Sequence, residues 1–238
     1  MTWCDKCCSK AIIYQRYSGM HLCQAHFDED VHRKIRESLR QTRLFGRGER
    51  VAVGLSGGGD SATLLYVLKN MFSRRKDIDF VAIIIDEGQG VAQARLISQK
   101  LGVPSIIRSM HSSTGSRAKA DLLIKTAQES GADVLATGHN LDDEAQEVFL
   151  KFLKGDVEGL LQPSPGRPIP WIKPLRRVPE KETRLYAITH GLYHHKSECF
   201  TFGWRLEVKR HLNGFESRHP GTKYSLLRSL ERILLLKE

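Results

Sequence analysis

Ser56-Gly57-Gly58-Gly59-Asp60-Ser61 stands between an apolar run over 51–55 and a second apolar stretch over 62–68. That order predicts a strand, a glycine turn and a helix. Consecutive glycines let backbone N–H groups come close to a phosphate, and the helix N-terminus behind them favours negative charge. Ser56 and Ser61 add hydroxyl donors, and Asp60 is placed to position a metal ion or a bound water. The stretch lacks the GK[ST] ending of the Walker loop, and its spacing is not the dinucleotide GxGxxG. An ordinary strand-to-helix turn is the competing reading.

A second constellation is Cys4-x-x-Cys7 followed by Cys23-x-x-His26. Three thiolates and one imidazole at this spacing suit a tetrahedral structural zinc ion. Cys8 and His21 lie beside them as alternative ligands. Residues 11–14 and Tyr17 between the two pairs read as one short hairpin with too little core to fold alone, so metal binding would supply its stability. A third is Gly138-His139-Asn140-Leu141-Asp142-Asp143-Glu144. Either aspartate can cap the helix that follows, worth about 1 kcal/mol. As a pair facing the phosphate loop they can instead hold magnesium or handle a proton. His139 can contact phosphate or serve as a structural imidazole.

These groups need a scaffold, and the apolar pattern predicts one. Strands are expected over 50–55, 79–85, 104–107 and 133–137, with helices near 61–72, 91–101, 117–130 and 143–154. Near-continuous apolar strands separated by helices indicate an α/β fold, a parallel sheet covered on both faces. Ligands bind such sheets at the carboxyl ends of the strands. The glycine loop, Asp86-Glu87-Gly88 and the 138–144 segment all fall there. A helix over 28–45 turns Val31, Ile35 and Leu39 to one side, with Arg33, Lys34, Arg36, Arg40 and Arg43 on the rest. Residues 160–178 hold five of the eight prolines and read as an extended crossing segment. Helices resume at 180–190 and 204–213, and Ser225 is placed to cap a last one carrying Leu226, Leu230, Ile233 and Leu234. The expected organisation is a zinc module over 1–27, a basic linker helix over 28–48, a nucleotide-binding core over 49–160, and a basic, mostly helical extension over 161–238.

The 238 residues carry 37 Lys and Arg against 27 Asp and Glu, a formal charge of +10. Such an excess suits a polyanionic partner, because basic side chains release counterions from phosphates. No apolar run is long enough to cross a membrane and no apolar signal core opens the chain, so a soluble, cytoplasmic protein is expected. Four of the five cysteines fall within the first 23 residues, which in a reducing compartment points to metal before disulfide.

The zinc module, SGGGDS, ATGHNLDDEAQ, Lys173-Pro-Leu-Arg-x-x-x-Glu-Lys-Glu182, Glu198-Cys199 and Pro220-Gly-Thr-Lys223 occur in order. Together they resemble the tRNA 2-thiouridine synthetases, a family of PP-loop ATPases, over nearly the whole chain. The resemblance implies that ATP adenylates the carbon-2 oxygen of a tRNA uridine and that sulfur then displaces AMP. It implies ATP contacts from Ser56, Gly57, Gly58, Gly59, Asp60, Ser61, Asp86 and His139, with Asp60, Asp142, Asp143 and Cys199 carrying the chemistry. Implied cofactors are ATP, Mg2+ and Zn2+. Implied partners are tRNA, a sulfur donor (sulfide or a thiocarboxylated ubiquitin-like carrier protein) and a second copy in a homodimer. Arg36, Arg40, Lys119, Lys209, Arg210 and Lys223 are the candidate tRNA contacts. The chain departs from the pattern where relatives carry Cys-x-x-Cys-Gly. With Gly115 as the motif glycine, His111 and Thr114 occupy the cysteine positions. An iron–sulfur cluster in its usual three-cysteine form is therefore not expected, and Cys199 is the thiol left near the site. Two other readings stay open, a catalytically reduced paralog that binds tRNA and ATP as a partner subunit, and a PP-loop ligase with another nucleophile.

Overall fold

The computed structural model describes residues 2–42, 48–88, 90–110, 115–161, 167–192 and 203–236. The chain opens with the expected hairpin, β1 (Ile13–Gln15) and β2 (Met20–Leu22), paired antiparallel. Helix α1 (Gln24–Thr42) begins four residues before the predicted start. The Phe27 amide already donates to the Cys23 carbonyl, so Cys23-x-x-His26 forms the first helical turn rather than a separate knuckle. Phe27, Val31, Ile35 and Leu39 are buried in the main core. Lys34, expected on the basic face, is also buried, because carboxylates meet it there.

The α/β body runs β3 (Glu49–Gly54), α2 (Gly59–Met71), β4 (Ile78–Asp86), α3 (Val91–Lys100), β5 (Ser105–Ser109), α4 (Ser116–Glu129), β6 (Val134–Thr137), α5 (Leu141–Lys154) and α6 (Val157–Leu161). Each predicted strand and helix of this body is present to within a residue or two. A further short strand, β7 (Trp171–Ile172), comes from the proline-rich crossing segment and pairs parallel with β6. The pairs β3–β4, β3–β6 and β4–β5 are also parallel, and the order is β5-β4-β3-β6-β7. Alternate side chains enter different cores. Val51, Val53, Phe80, Ala82, Ile84, Val134 and Ala136 pack on one face, while Ala52, Val81, Ile83, Ile85 and Leu135 pack with Leu123 and Ala127 of α4 on the other. Burying both faces of these strands explains why they read as continuous apolar runs.

Helices α7 (Glu180–Thr189), α8 (Trp204–Arg218) and α9 (Thr222–Leu235) complete the chain. Helix α9 starts at Thr222, so Ser225 lies inside it and is not its cap. The Glu216 carboxylate of α8 accepts from the amides of Gly221 and Lys223 at 2.7 and 2.9 Å and satisfies that helix start instead. Leu227 and Leu230 carry the buried face of α9, Leu226 and Leu234 flank it, and Ile233 is exposed.

Candidate active site and metal centre

The Cys4, Cys7 and Cys23 sulfurs and a His26 ring nitrogen all lie within 4.8 Å of one another. Cys4 Sγ and Cys23 Sγ are each 3.4 Å from His26 Nδ1, and Cys7 Sγ is 3.7 Å from Cys23 Sγ. A tetrahedral zinc ion with bonds of about 2.0–2.3 Å separates its ligands by roughly 3.4–3.8 Å, so the four groups fit one ion with no open position. Cys8 is exposed, and His21 stacks on Tyr14 and faces Asp5 at 3.6 Å, so neither alternative ligand joins the group.

Strand order reverses between β3 and β6, and the crevice at their carboxyl ends is where α/β sheets take ligands. Three loops meet there. Ser56–Gly58 follows β3, and α2 starts at Gly59 with Asp60 in its first turn. Ser61 Oγ accepts from the Ser56 amide at 3.1 Å, and Ser56 Oγ accepts from the Gly58 amide at 3.3 Å, which wraps the loop over the helix end. Gly57 (φ +82°) lies backbone to backbone against Gly90 (φ +77°) of the loop after β4. A β-carbon on either would overlap the other loop, that on Gly90 standing 2.5 Å from the Ser56 carbonyl oxygen. Gly90 lies outside the SGGGDS motif, and its only signal in the chain is that it is a second glycine two residues beyond Gly88. Asp86, at the end of β4, accepts from the Gly88 amide at 2.8 Å and shapes that same turn.

The third loop carries the carboxylates. Asn140 caps α5 in a capping box, its Oδ1 accepting from the Asp143 amide at 3.1 Å while Asp143 Oδ2 accepts from the Asn140 amide at 3.0 Å. Asn140 Nδ2 also donates to Asp60 Oδ2 at 3.1 Å, and the Thr183 hydroxyl donates to Asp60 Oδ1. Burial pushes Asp60 up to about 6, with the charges of Asp143 and Glu180 adding to the rise. Burial likewise lifts Asp143 to about 6, helped by Glu180 and Asp142. The two aspartates of the DD pair do not face the loop together. Asp142 turns to the C-terminal helices, where it accepts from the Glu180 amide at 2.8 Å and from Lys223 Nζ. Burial lowers His139 to about 4, with Lys173 contributing, so the ring is neutral near pH 7. Trp171 Nε1 donates to Thr137 Oγ1 at 2.6 Å, and the same hydroxyl is hydrogen-bonded to His139 Nδ1 at 2.8 Å. The neutral ring keeps one N–H donor and one acceptor nitrogen, with Nδ1 engaged by Thr137. Glu144 is half-buried; burial alone would raise it, but Lys173 and Arg176 hold it below its ordinary value.

Of the candidate tRNA contacts, Arg36, Arg40 and Arg210 are exposed. Lys119 pairs with Glu87, and Lys209 with Glu180 at 3.0 Å. Lys223 corrects the expectation of surface charge: it is buried against Asp142 and Asn213. Cys199, His111 and Thr114 lie outside the described residues. Asn140, Glu180 and Glu182 stand inside the motifs with no role legible from their types alone, and Thr183 carries no local signal beyond its place in a helix.

A glycine loop on a helix N-terminus, at the switch point of a parallel sheet and flanked by half-buried carboxylates, defines a phosphate-binding α/β protein. The PP-loop domain family matches residues 27–199, and the N-terminal LIM domain described for the 2-thiouridine synthetase TtuA matches residues 4–28. The tRNA 2-thiolation protein NcsA of Haloferax volcanii is 32% identical over 97% of this chain and 86% of its own length. A tRNA-5-methyluridine(54) 2-sulfurtransferase of Pyrococcus horikoshii is 32% identical over 94% and 80%. The U34-tRNA thiolase NcsA of Methanococcus maripaludis, solved with its [4Fe-4S] cluster, superposes with a TM-score of 0.87 at 29% identity, covering 98% of this chain and 88% of that one. The chain therefore belongs to the tRNA 2-thiolation family of PP-loop proteins. Its loop is a nucleotide-binding PP-loop, and its Cys/His group is a metal-binding cluster. The expectation against an iron–sulfur cluster finds no support in the comparison, since that structural relative carries one.

Proposed function

We propose that this protein thiolates carbon 2 of a tRNA uridine at the expense of ATP, releasing AMP and pyrophosphate. The observation that carries this reading is the likeness to a tRNA 2-thiolation protein along 97% of the chain, loop and metal module included. A carbonyl oxygen is a poor leaving group, and adenylation solves that problem. The uridine O2 attacks the α-phosphorus as N3 gives its proton to solvent water; the new O–P bond forms as the bond to the β-phosphate oxygen breaks. Sulfur then adds at C2, and AMP departs with the C2–O bond. Amides of the 56–59 loop and the Ser56 and Ser61 hydroxyls receive the developing pyrophosphate charge. Asp60, with Asp143 behind it, is the carboxylate group that would hold Mg2+, which supplies compensating positive charge to the phosphates. His139 is a neutral imidazole beside the site, able to offer a hydrogen bond to a phosphate without a positive charge of its own.

The division of labour is a zinc module over 1–27, the helix of 28–48, the nucleotide core of 49–160 and the C-terminal extension of 161–238. Zinc is the ion that the Cys3His set would take. Arg36, Arg40 and Arg210 are the tRNA contacts retained; the sulfur that adds at C2 is hydrosulfide, free or released by hydrolysis from a thiocarboxylated carrier protein, with Cys199 the thiol assigned to guiding it, in a homodimer. Among the described residues no helix is long and apolar enough to cross a membrane. The reaction is assigned to the cytoplasm, where the 29% identical Caenorhabditis elegans relative is placed by its name.

The replacement of two motif cysteines by His111 and Thr114 favours a second reading, a partner subunit that binds tRNA and ATP without completing sulfur transfer. Mass spectrometry of tRNA nucleosides decides between them, after anaerobic incubation with Mg-ATP and sulfide, before and after iron–sulfur reconstitution. Appearance of 2-thiouridine that Asp60→Asn abolishes is the expected result. No thiouridine in either condition, beside a working relative, overturns the enzyme reading.

A further inference from the structure

We propose that Glu182 and Thr183, consecutive on α7, act as a strut between the metal module and the phosphate loop, with Thr183 the positioning residue for Asp60. Successive helical residues point about 100° apart, so one short stretch of helix can serve two neighbours. Glu182 faces the N-terminal module. Its carboxylate accepts from Gln15 Nε2 at 3.0 Å, Tyr17 Oη at 2.7 Å and Lys34 Nζ at 2.6 Å. The Lys34 and Glu182 side chains are 5% and 3% exposed, so this is a desolvated pair in which neither partner has water to fall back on. Asp30 completes the cluster, contacting Lys34 at 2.8 Å and accepting from Gln15 at 2.8 Å. Breaking such a pair from one side leaves a buried charge uncompensated, so Glu182 is held where the module puts it.

Thr183 faces the other way. It is fully buried; its hydroxyl donates to Asp60 Oδ1, and its carbonyl accepts from the Thr63 hydroxyl of α2 at 3.3 Å. Asp60 Oδ2 is taken by Asn140 at 3.1 Å. Donors from two different elements therefore grip the two oxygens and fix the plane of the carboxylate at the start of α2. Removing the Thr183 donor leaves only the Asn140 side of that grip. The proposal rests on the reading of Asp60 as a nucleotide-site residue.

Thr183→Val keeps the shape and deletes the donor, and Thr183→Ser keeps the donor. Mg-ATP affinity by calorimetry and the ATP dependence of tRNA-stimulated pyrophosphate release are the readouts. Thr183→Val is expected to weaken Mg-ATP binding and raise its KM about tenfold, in line with a hydrogen bond to a charged group, with the KM for tRNA unchanged. Thr183→Ser is expected to stay within about threefold of the parent. Because Glu182→Gln strands a buried lysine, Tyr17→Phe tests the other end, since Lys34 keeps Glu182 and Asp30. It is expected to weaken Mg-ATP binding in the same direction, and the double variant to bind no more weakly than Thr183→Val alone, the mark of coupled sites. A folded Thr183→Val that binds Mg-ATP like the parent, or a Ser variant as weak as the Val, overturns the positioning role. Additive effects of the two substitutions overturn the strut. If the parent binds Mg-ATP yet tRNA elicits no pyrophosphate, the proposed reaction fails while calorimetry still judges Thr183.

Discussion

Asp60 is costly to the empty protein and useful to the loaded one. Burial and neighbouring carboxylates raise it to about 6 from an ordinary value near 4, so the native state holds its proton more tightly than the unfolded chain. Stability then falls as pH rises between those two values and stays lower above them. Asp60→Asn removes that cost. The nucleotide-free variant is expected to melt ~2–4 °C above the parent at pH 7.5, the shift that 1 kcal/mol produces in a domain of this size. The advantage shrinks as pH falls from 6 toward 4, because the native carboxyl is then protonated and the unfolded one is becoming so, and calorimetric melts at pH 7.5 and pH 4 check it. A lower melting temperature at pH 7.5 would refute the electrostatic account. The same titration predicts that Mg-ATP binding falls as pH drops from 7 to 5, through the protonation of Asp60 and Asp143 at about 6. His139, already neutral, is expected to add no limb of its own between pH 6 and 8.

At the scale of elements, the loops after β3 and β4 behave as one part, because Gly57 and Gly90 touch through their backbones. Gly90→Ala is expected to weaken ATP binding as much as Gly57→Ala does, although Gly90 lies outside the SGGGDS motif. Paired titrations with Mg-ATP test this, and a normal Gly90→Ala would break the link. The pair Asp142–Lys223 ties α5 to α9, and Lys223→Met leaves the half-buried Asp142 with only the Glu180 amide, which should cost about 1–3 kcal/mol in urea unfolding. Much of this architecture is legible in the chain. Strands buried on both faces show as apolar runs, and a helix opening behind a glycine turn shows as a change of period. The fifth strand, β7, escaped because two residues among prolines carry no periodicity and exist only through the β6 edge they pair with. Lys34 reads as a surface charge until Glu182 comes into view, and Thr183 reads as one more helical threonine until Asp60 does. Those assignments depend on partners more than a hundred positions away, which no local pattern encodes.

For the whole molecule, the +10 charge predicts salt-sensitive tRNA binding. Gln at Arg36 or Arg40 is expected to weaken binding to any tRNA alike and to lower the slope of log K against log salt by about 1 for each phosphate no longer neutralised. An unchanged slope would remove α1 from the RNA surface. The buried grip on Glu182 also bears on how the chain is made. The metal ligands are complete by residue 26, yet Lys34 meets its carboxylate only 148 positions later. At about 5–20 residues per second, roughly 7–30 s of synthesis separate the two. Through that interval the first helix carries Phe27, Val31 and Ile35 with no α7 to lie against. The amino-terminal end can capture its metal ion early on the ribosome, but it finds its seat only when the final third of the chain has emerged. A stalled or truncated product ending before Glu182 would therefore carry a finished metal centre and an uncovered apolar helix, the combination that chaperones and proteases read as incomplete.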